Sequence, residues 1–172
     1  TYNSHSELYS ALRLSRGGYP KDGFFLRAES FYNVASEIER LDNIPAASPP
    51  IIDGYGGVSL HEQSHGESFM ALAMNRFRGH GLYILDEPEA ALSPTAQMAL
   101  LARLYELARN DSQLIIATHS VIISALPDAD VYEITEKGIN KTEYVKTSHY
   151  NIMKHFINSP EKMVSDLTGK ER

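Results

Sequence analysis

The chain predicts an α/β fold built on a mainly parallel sheet flanked by helices, and three observations carry that expectation. Leu82-Tyr83-Ile84-Leu85 and Leu114-Ile115-Ile116-Ala117-Thr118 are short apolar runs of the kind that form buried strands. Between them, Ser93-Pro94 opens a helix reaching about Asn110, with a capping residue followed by proline at the first helical position. Strand–helix–strand alternation at this spacing argues for parallel pairing. A length of 172 residues suits one such domain with a real core and leaves no room for two large ones.

The remaining elements follow from local pattern. Ser6 to Ser15 reads as a short helix with Leu8, Ala11 and Leu12 on one face, stopping at Gly17-Gly18. Residues Gly23 to Ala28 read as a strand. Ser30 is placed to cap a helix running to about Leu41, with Phe31, Val34, Ala35, Ile38 and Leu41 on one stripe. The stretch Pro45 to Pro50 is a loop, and glycines follow at 54, 56 and 57. Ser64 to about Arg78 is helical, with Phe69, Leu72, Ala73 and Phe77 recurring at three-to-four spacing. Val131–Thr135 and Thr142–Val145 flank Lys137-Gly138 and suggest an antiparallel hairpin. Ser148–Ile157 and Pro160–Leu167 close the chain as helices. The sequence carries no internal repeat and no low-complexity tract.

Composition excludes several classes. With no cysteine, the chain has no disulfide scaffold, no thiolate zinc site and no cysteine nucleophile. No apolar stretch approaches the roughly 18–20 residues that span a bilayer. The N-terminus lacks a basic-then-apolar leader, so a cytoplasmic location is expected. A net charge of −6 argues against a broad nucleic-acid surface. The loose basic cluster Arg13, Arg16, Lys21 and Arg27 could touch DNA or an adenine ring, with plain solvation the simpler reading. Lys154, His155, Lys162 and Lys170 read as a solvated face, and Leu101, Leu104 and Tyr105 as helix core.

The chemistry gathers at strand ends. Asp86 and Glu87 directly follow Leu82–Leu85, before Pro88 turns the chain. Ligands bind at the carboxyl ends of parallel strands, so Asp86 is placed to hold Mg²⁺ through a water and Glu87 to orient or deprotonate an attacking water. The plainer alternative is an acidic, solvated strand end. The next strand ends in Thr118-His119-Ser120, where His119 could meet a phosphate oxygen or serve only as a turn residue. Upstream, Ser64 and Glu67 fit the S-x-x-E capping box. The same helix start offers free amides and a positive dipole end to a phosphate, with Gly66 permitting close approach.

A competing motif overlaps these residues. His61-Glu62-Gln63-Ser64-His65 is a literal H-E-x-x-H, the zinc hydrolase pattern, with Glu87 or Glu89 as a third ligand. It requires a helix already running at His61, whereas the helix-start chemistry falls at Ser64.

Taken in order, Gln63-Ser64-His65-Gly66-Glu67, Leu82 to Glu87, Ala91-Leu92-Ser93 and His119 resemble the signature, Walker B, D-loop and switch histidine of an ABC-type ATPase nucleotide-binding domain. Ser64 and Asp86 lie 22 positions apart, and Asp86 and His119 33 apart. The Asp-Glu-Pro-Glu-Ala-Ala-Leu run looks closer to SMC/RecF-like soluble ATPases than to transporters. The resemblance implies a partial P-loop NTPase core: a strand and shortened helical insertion over 24–50, the motif region over 57–134, and a C-terminal hairpin and helices over 135–172. It implies ATP and Mg²⁺ as ligands and an ATP-sandwiched homodimer. Each signature (Ser64, His65, Gly66, Glu67) would face the partner's ATP, Ser93 would lie at the D-loop, and Glu29 stands where a Q-loop glutamine is expected. His65, Glu67 and Ser93 depart from the family pattern.

No G-x-x-x-x-G-K-[ST] occurs: the only Gly-Lys is Gly169-Lys170, followed by Glu171. The family's P-loop lies upstream, and the chain opens at Thr1 rather than methionine. The expectation is therefore the C-terminal part of a longer ATPase, inactive by itself. A non-catalytic, ATP-gated interaction module would show much the same residues.

Overall fold

Three parallel strands, β1 (Asp22–Arg27), β2 (Gly81–Asp86) and β3 (Gln113–Ala117), pair in the order β1-β2-β3. The computed structural model describes residues 7–15, 17–27, 31–45 and 48–169. The expected capping residue Ser30, the Q-loop candidate Glu29 and Arg16 of the basic cluster lie outside the described residues. The helix expected over Ser6 to Ser15 is a single exposed turn, α1 (Leu8–Ala11), while the sheet is accompanied by α2 (Phe31–Asp42), a 3₁₀ turn at Ile51–Tyr55, α3 (His65–Asn75) and α4 (Pro94–Arg109). The α/β class and the parallel pairing are as expected.

The pleat sends alternate side chains to opposite faces. On one face Leu26, Tyr83 and Leu85 are buried against Phe69 and Leu72 of α3 and Leu100, Leu104 and Leu107 of α4. Each such side chain contributes about 1.5–3 kcal/mol on full burial, so this layer holds the domain together. The other face is largely bare: Phe25, Ile84 and Ile115 share one register row, and Phe25 is 63% and Ile115 51% exposed. The strands expected to be buried are thus covered on one side only.

The amino end of the sheet is locked by a polar cluster. Arg76 Nη1 donates to Asp22 Oδ2 at 2.6 Å. The hydroxyl of buried Tyr83 lies 3.0 Å from the same oxygen and 2.5 Å from the Arg78 carbonyl, sharing one proton between them. Arg76 chiefly holds the Asp22 carboxyl below its ordinary range, while burial pushes the Tyr83 hydroxyl up.

At the carboxy-terminal side, β4 (Val131–Thr135) and β5 (Gly138–Thr142) form the antiparallel pair, followed by α5 (Ser148–Asn158) and α6 (Pro160–Thr168). The hairpin is tighter than the Thr142–Val145 placement of its second strand. Thr135 pairs with Gly138 across a two-residue turn, which brings Thr142 opposite Val131 and ends the strand there. Residues 144–146 become a 3₁₀ turn leading into α5. Among the described residues no helix is long and apolar enough to cross a membrane.

Candidate active site

Parallel register aligns the ends of the three strands, so Arg27, Asp86 and Ala117 form the last row of the sheet. Arg27 Nε lies 3.0 Å from Asp86 Oδ2. Glu87 continues β2 by one hydrogen bond, its N–H donating to the Ala117 carbonyl at 2.9 Å. Its φ of 51° is in the left-handed region, where a non-glycine side chain costs about 1–3 kcal/mol. The bend turns the Glu87 side chain toward the end of β3.

There Glu87 meets His119. His119 Nε2 lies 3.4 Å from Glu87 Oε1, with the two side chains 80% and 52% exposed respectively. An exposed pair of this kind contributes about 0–1 kcal/mol, less than the backbone strain at Glu87. The contact with His119 alone therefore does not offset the backbone cost at Glu87. The backbone beneath His119 is well fixed. Glu89 accepts from the His119 N–H and from Thr118 Oγ1, both at 2.6 Å. Ser120 Oγ donates to Gln97 Oε1 at 2.6 Å, tying the same loop to α4.

The start of α3 is a complete capping box. Ser64 Oγ accepts from the Glu67 N–H, while Glu67 Oε2 accepts from the Ser64 N–H at 3.0 Å and its hydroxyl at 2.6 Å. Those bonds hold the Glu67 carboxyl below its ordinary range. Gly66 packs on the loop that follows Glu87: a Cβ there would stand 2.7 Å from the Ala91 carbonyl oxygen. Its close approach is to protein rather than to ligand. His65 lies against Phe31, ring centroids 5.4 Å apart. Ser93 caps α4, its side chain accepting from the Ala96 N–H at 3.2 Å.

The structure thus brings Glu87, His119 and Asp86 to one rim and sets Ser64–Glu67 on a helix braced against the adjoining loop. The H-E-x-x-H geometry is not formed. Helix α3 begins only at His65, so His61 and His65 do not share a helical face; His61 Nε2 instead lies 3.2 Å from Ser36 Oγ. Among the described residues no three His, Asp or Glu side chains cluster as metal ligands. Sequence reasoning missed the anchoring work of Glu89 and Gln97, whose partners lie 23 to 30 positions further along. It also left Arg27 in a solvated cluster, although that residue pairs with Asp86.

A family model described as "AAA domain, putative AbiEii toxin, Type IV TA system" matches residues 5–125. Chromosome partition protein Smc of Mycolicibacterium paratuberculosis (strain ATCC BAA-968 / K-10) is 44% identical over 69 residues, covering 40% of this chain and 6% of that protein. The chain therefore spans only a small part of that relative's length. No solved structure matches. On the extent of the family match, the chain belongs to this AAA-domain family, an SMC/RecF-like group of ATP-binding P-loop NTPases.

Proposed function

We propose that these residues form the hydrolytic half of an ATPase site, with Glu87 positioning and activating water and His119 contacting the γ-phosphate. The observation that carries this reading is the 3.4 Å approach of His119 Nε2 to Glu87 Oε1 at adjacent strand ends. A general base must lie within hydrogen-bond reach of its water, and an imidazole beside it can bridge that water and a phosphate oxygen. The carboxylates of Asp86 and Glu87 are hard oxygen donors of the kind Mg²⁺ takes in ones and twos beside substrate phosphates. Asp86 would hold the ion through water, exchanging its contact with Arg27, and the ion would neutralise phosphate charge. Ser64, at the start of α3, would meet the γ-phosphate bound by a partner subunit once its hydroxyl turns from Glu67.

The 172 residues lack a G-x-x-x-x-G-K-[ST], so the cradle for the β- and γ-phosphates comes from other polypeptide. Two features support completion by such a segment. The Phe25–Ile84–Ile115 face lies open, and β3 pairs on one edge only among the described residues. Parallel sheets are ordinarily covered on both faces. The complete ATPase would then dimerise around two ATP molecules.

Replacing Glu87 by Gln in the complete protein removes the base but keeps the shape. With ATP and Mg²⁺, that variant is expected to accumulate as a dimer on size-exclusion chromatography. Elution as a monomer at saturating ATP would overturn the sandwich. Phosphate release by the unaltered protein separates an ATPase from an ATP-gated module without turnover.

A further inference from the structure

The C-terminal module reaches the same rim from a side that the motifs do not describe. Helix α5 begins at Thr147, a buried N-cap whose Oγ1 donates to the Tyr144 carbonyl at 2.8 Å and whose side chain accepts from the Tyr150 N–H at 3.2 Å. Two long-range bonds fix this first turn. Tyr144 OH donates to the Val121 carbonyl at 2.7 Å, two residues beyond His119. The Ser148 N–H donates to Glu133 Oε1 of β4 at 2.7 Å. Tyr144 and Tyr150 close the turn edge to face, with ring centroids 4.8 Å apart. The start of α5 is therefore built onto the loop that carries His119.

His149 is the second residue of this helix, and its ring stacks on that of His119, centroids 6.5 Å apart and planes 30° from parallel. The His119 backbone is anchored by Glu89, but its ring is 80% exposed and has few neighbours to choose its rotamer. Glu87 approaches the Nε2 edge of that ring, and His149 stacks on the ring itself.

We propose that His149 is a positioning residue that holds the His119 ring over Glu87, and that α5 thereby links the C-terminal module to the hydrolytic site. The proposal rests on the ATPase reading for its kinetic consequence and on the ring contact alone for its structural one. His149 touches neither water nor nucleotide in this scheme; it limits how far His119 swings. A flat side chain should serve as well as imidazole, because stacking rather than proton transfer is what the position supplies.

The test uses the full-length protein with His149→Ala and His149→Phe. The His119 ring signals in proton–carbon NMR, assigned with a His119→Gln variant, report the contact without nucleotide. Steady-state ATP hydrolysis reports its consequence. His149→Ala is expected to shift the His119 signals and to lower kcat roughly three- to tenfold, the scale of one ring–ring contact, with KM for ATP little changed. His149→Phe should restore most of kcat. Unmoved His119 signals in His149→Ala, or a KM effect with kcat intact, would overturn the proposal. If the unaltered protein hydrolyses no ATP, the ATPase reading falls, and the NMR shift alone decides whether His149 orders His119.

Discussion

Glu87 is one of four described non-glycine residues with a left-handed backbone, alongside His80, Asp111 and Asp128, and it is the one at the strand-end rim. It adopts a left-handed backbone, costing about 1–3 kcal/mol, to bring a carboxylate to an imidazole whose attraction returns at most about 1 kcal/mol. Gly66 shows the opposite case, a residue whose absent side chain is the point. Gly66→Ala sets a Cβ against the Ala91 carbonyl and is expected to cost about 1–3 kcal/mol, read as a lower urea midpoint with an unchanged slope. A midpoint equal to that of the unaltered chain would show that the loop yields easily. The capping box of Ser64 and Glu67 was legible in the sequence because its partners are three residues apart. The anchoring by Glu89 was not, because its partners Thr118 and His119 meet it only once β3 lies beside β2.

At the scale of elements, the strongest signals were those set by local periodicity. The apolar runs of β2 and β3 and the capped start of α4 are where the pattern placed them. The hairpin exposed the limit of that approach. Lys137-Gly138 marked the turn, yet register depends on how many residues the turn consumes, and the two-residue connection moved the second strand to Gly138–Thr142. The lock between β1, β2 and the end of α3 was equally hidden, since Asp22 and Arg76 are 54 positions apart. That lock carries a pH signature. A carboxyl held below its ordinary range contributes stability fully present above the unfolded pKa, near 4, and lost as pH falls through the folded value. Asp22→Asn should therefore flatten the loss of urea stability between about pH 6 and about pH 3, relative to the unaltered chain. An identical acid limb in both proteins would remove Asp22 from this role.

For the whole molecule, the ordered motifs and the match over residues 5–125 give family and fold, while the bare sheet face marks where the domain is open. A chain with the proposed hydrolytic rim but no G-x-x-x-x-G-K-[ST] should bind ATP poorly in isolation. Calorimetry on these 172 residues is expected to show no micromolar ATP site, and tight binding would mean that the phosphate cradle is already present in a form the sequence does not reveal. The zinc alternative fails for the reason the capping box already indicated in the sequence, because helix α3 starts after His61 rather than before it. The central claim is that Glu87 activates the water that attacks ATP, and single-turnover phosphate release by the complete protein tests it most directly. Glu87→Gln should bind ATP as the unaltered protein does and release phosphate at least roughly a hundredfold more slowly. An unchanged release rate in that variant would contradict the assignment of Glu87, and with it the hydrolytic site described at this rim.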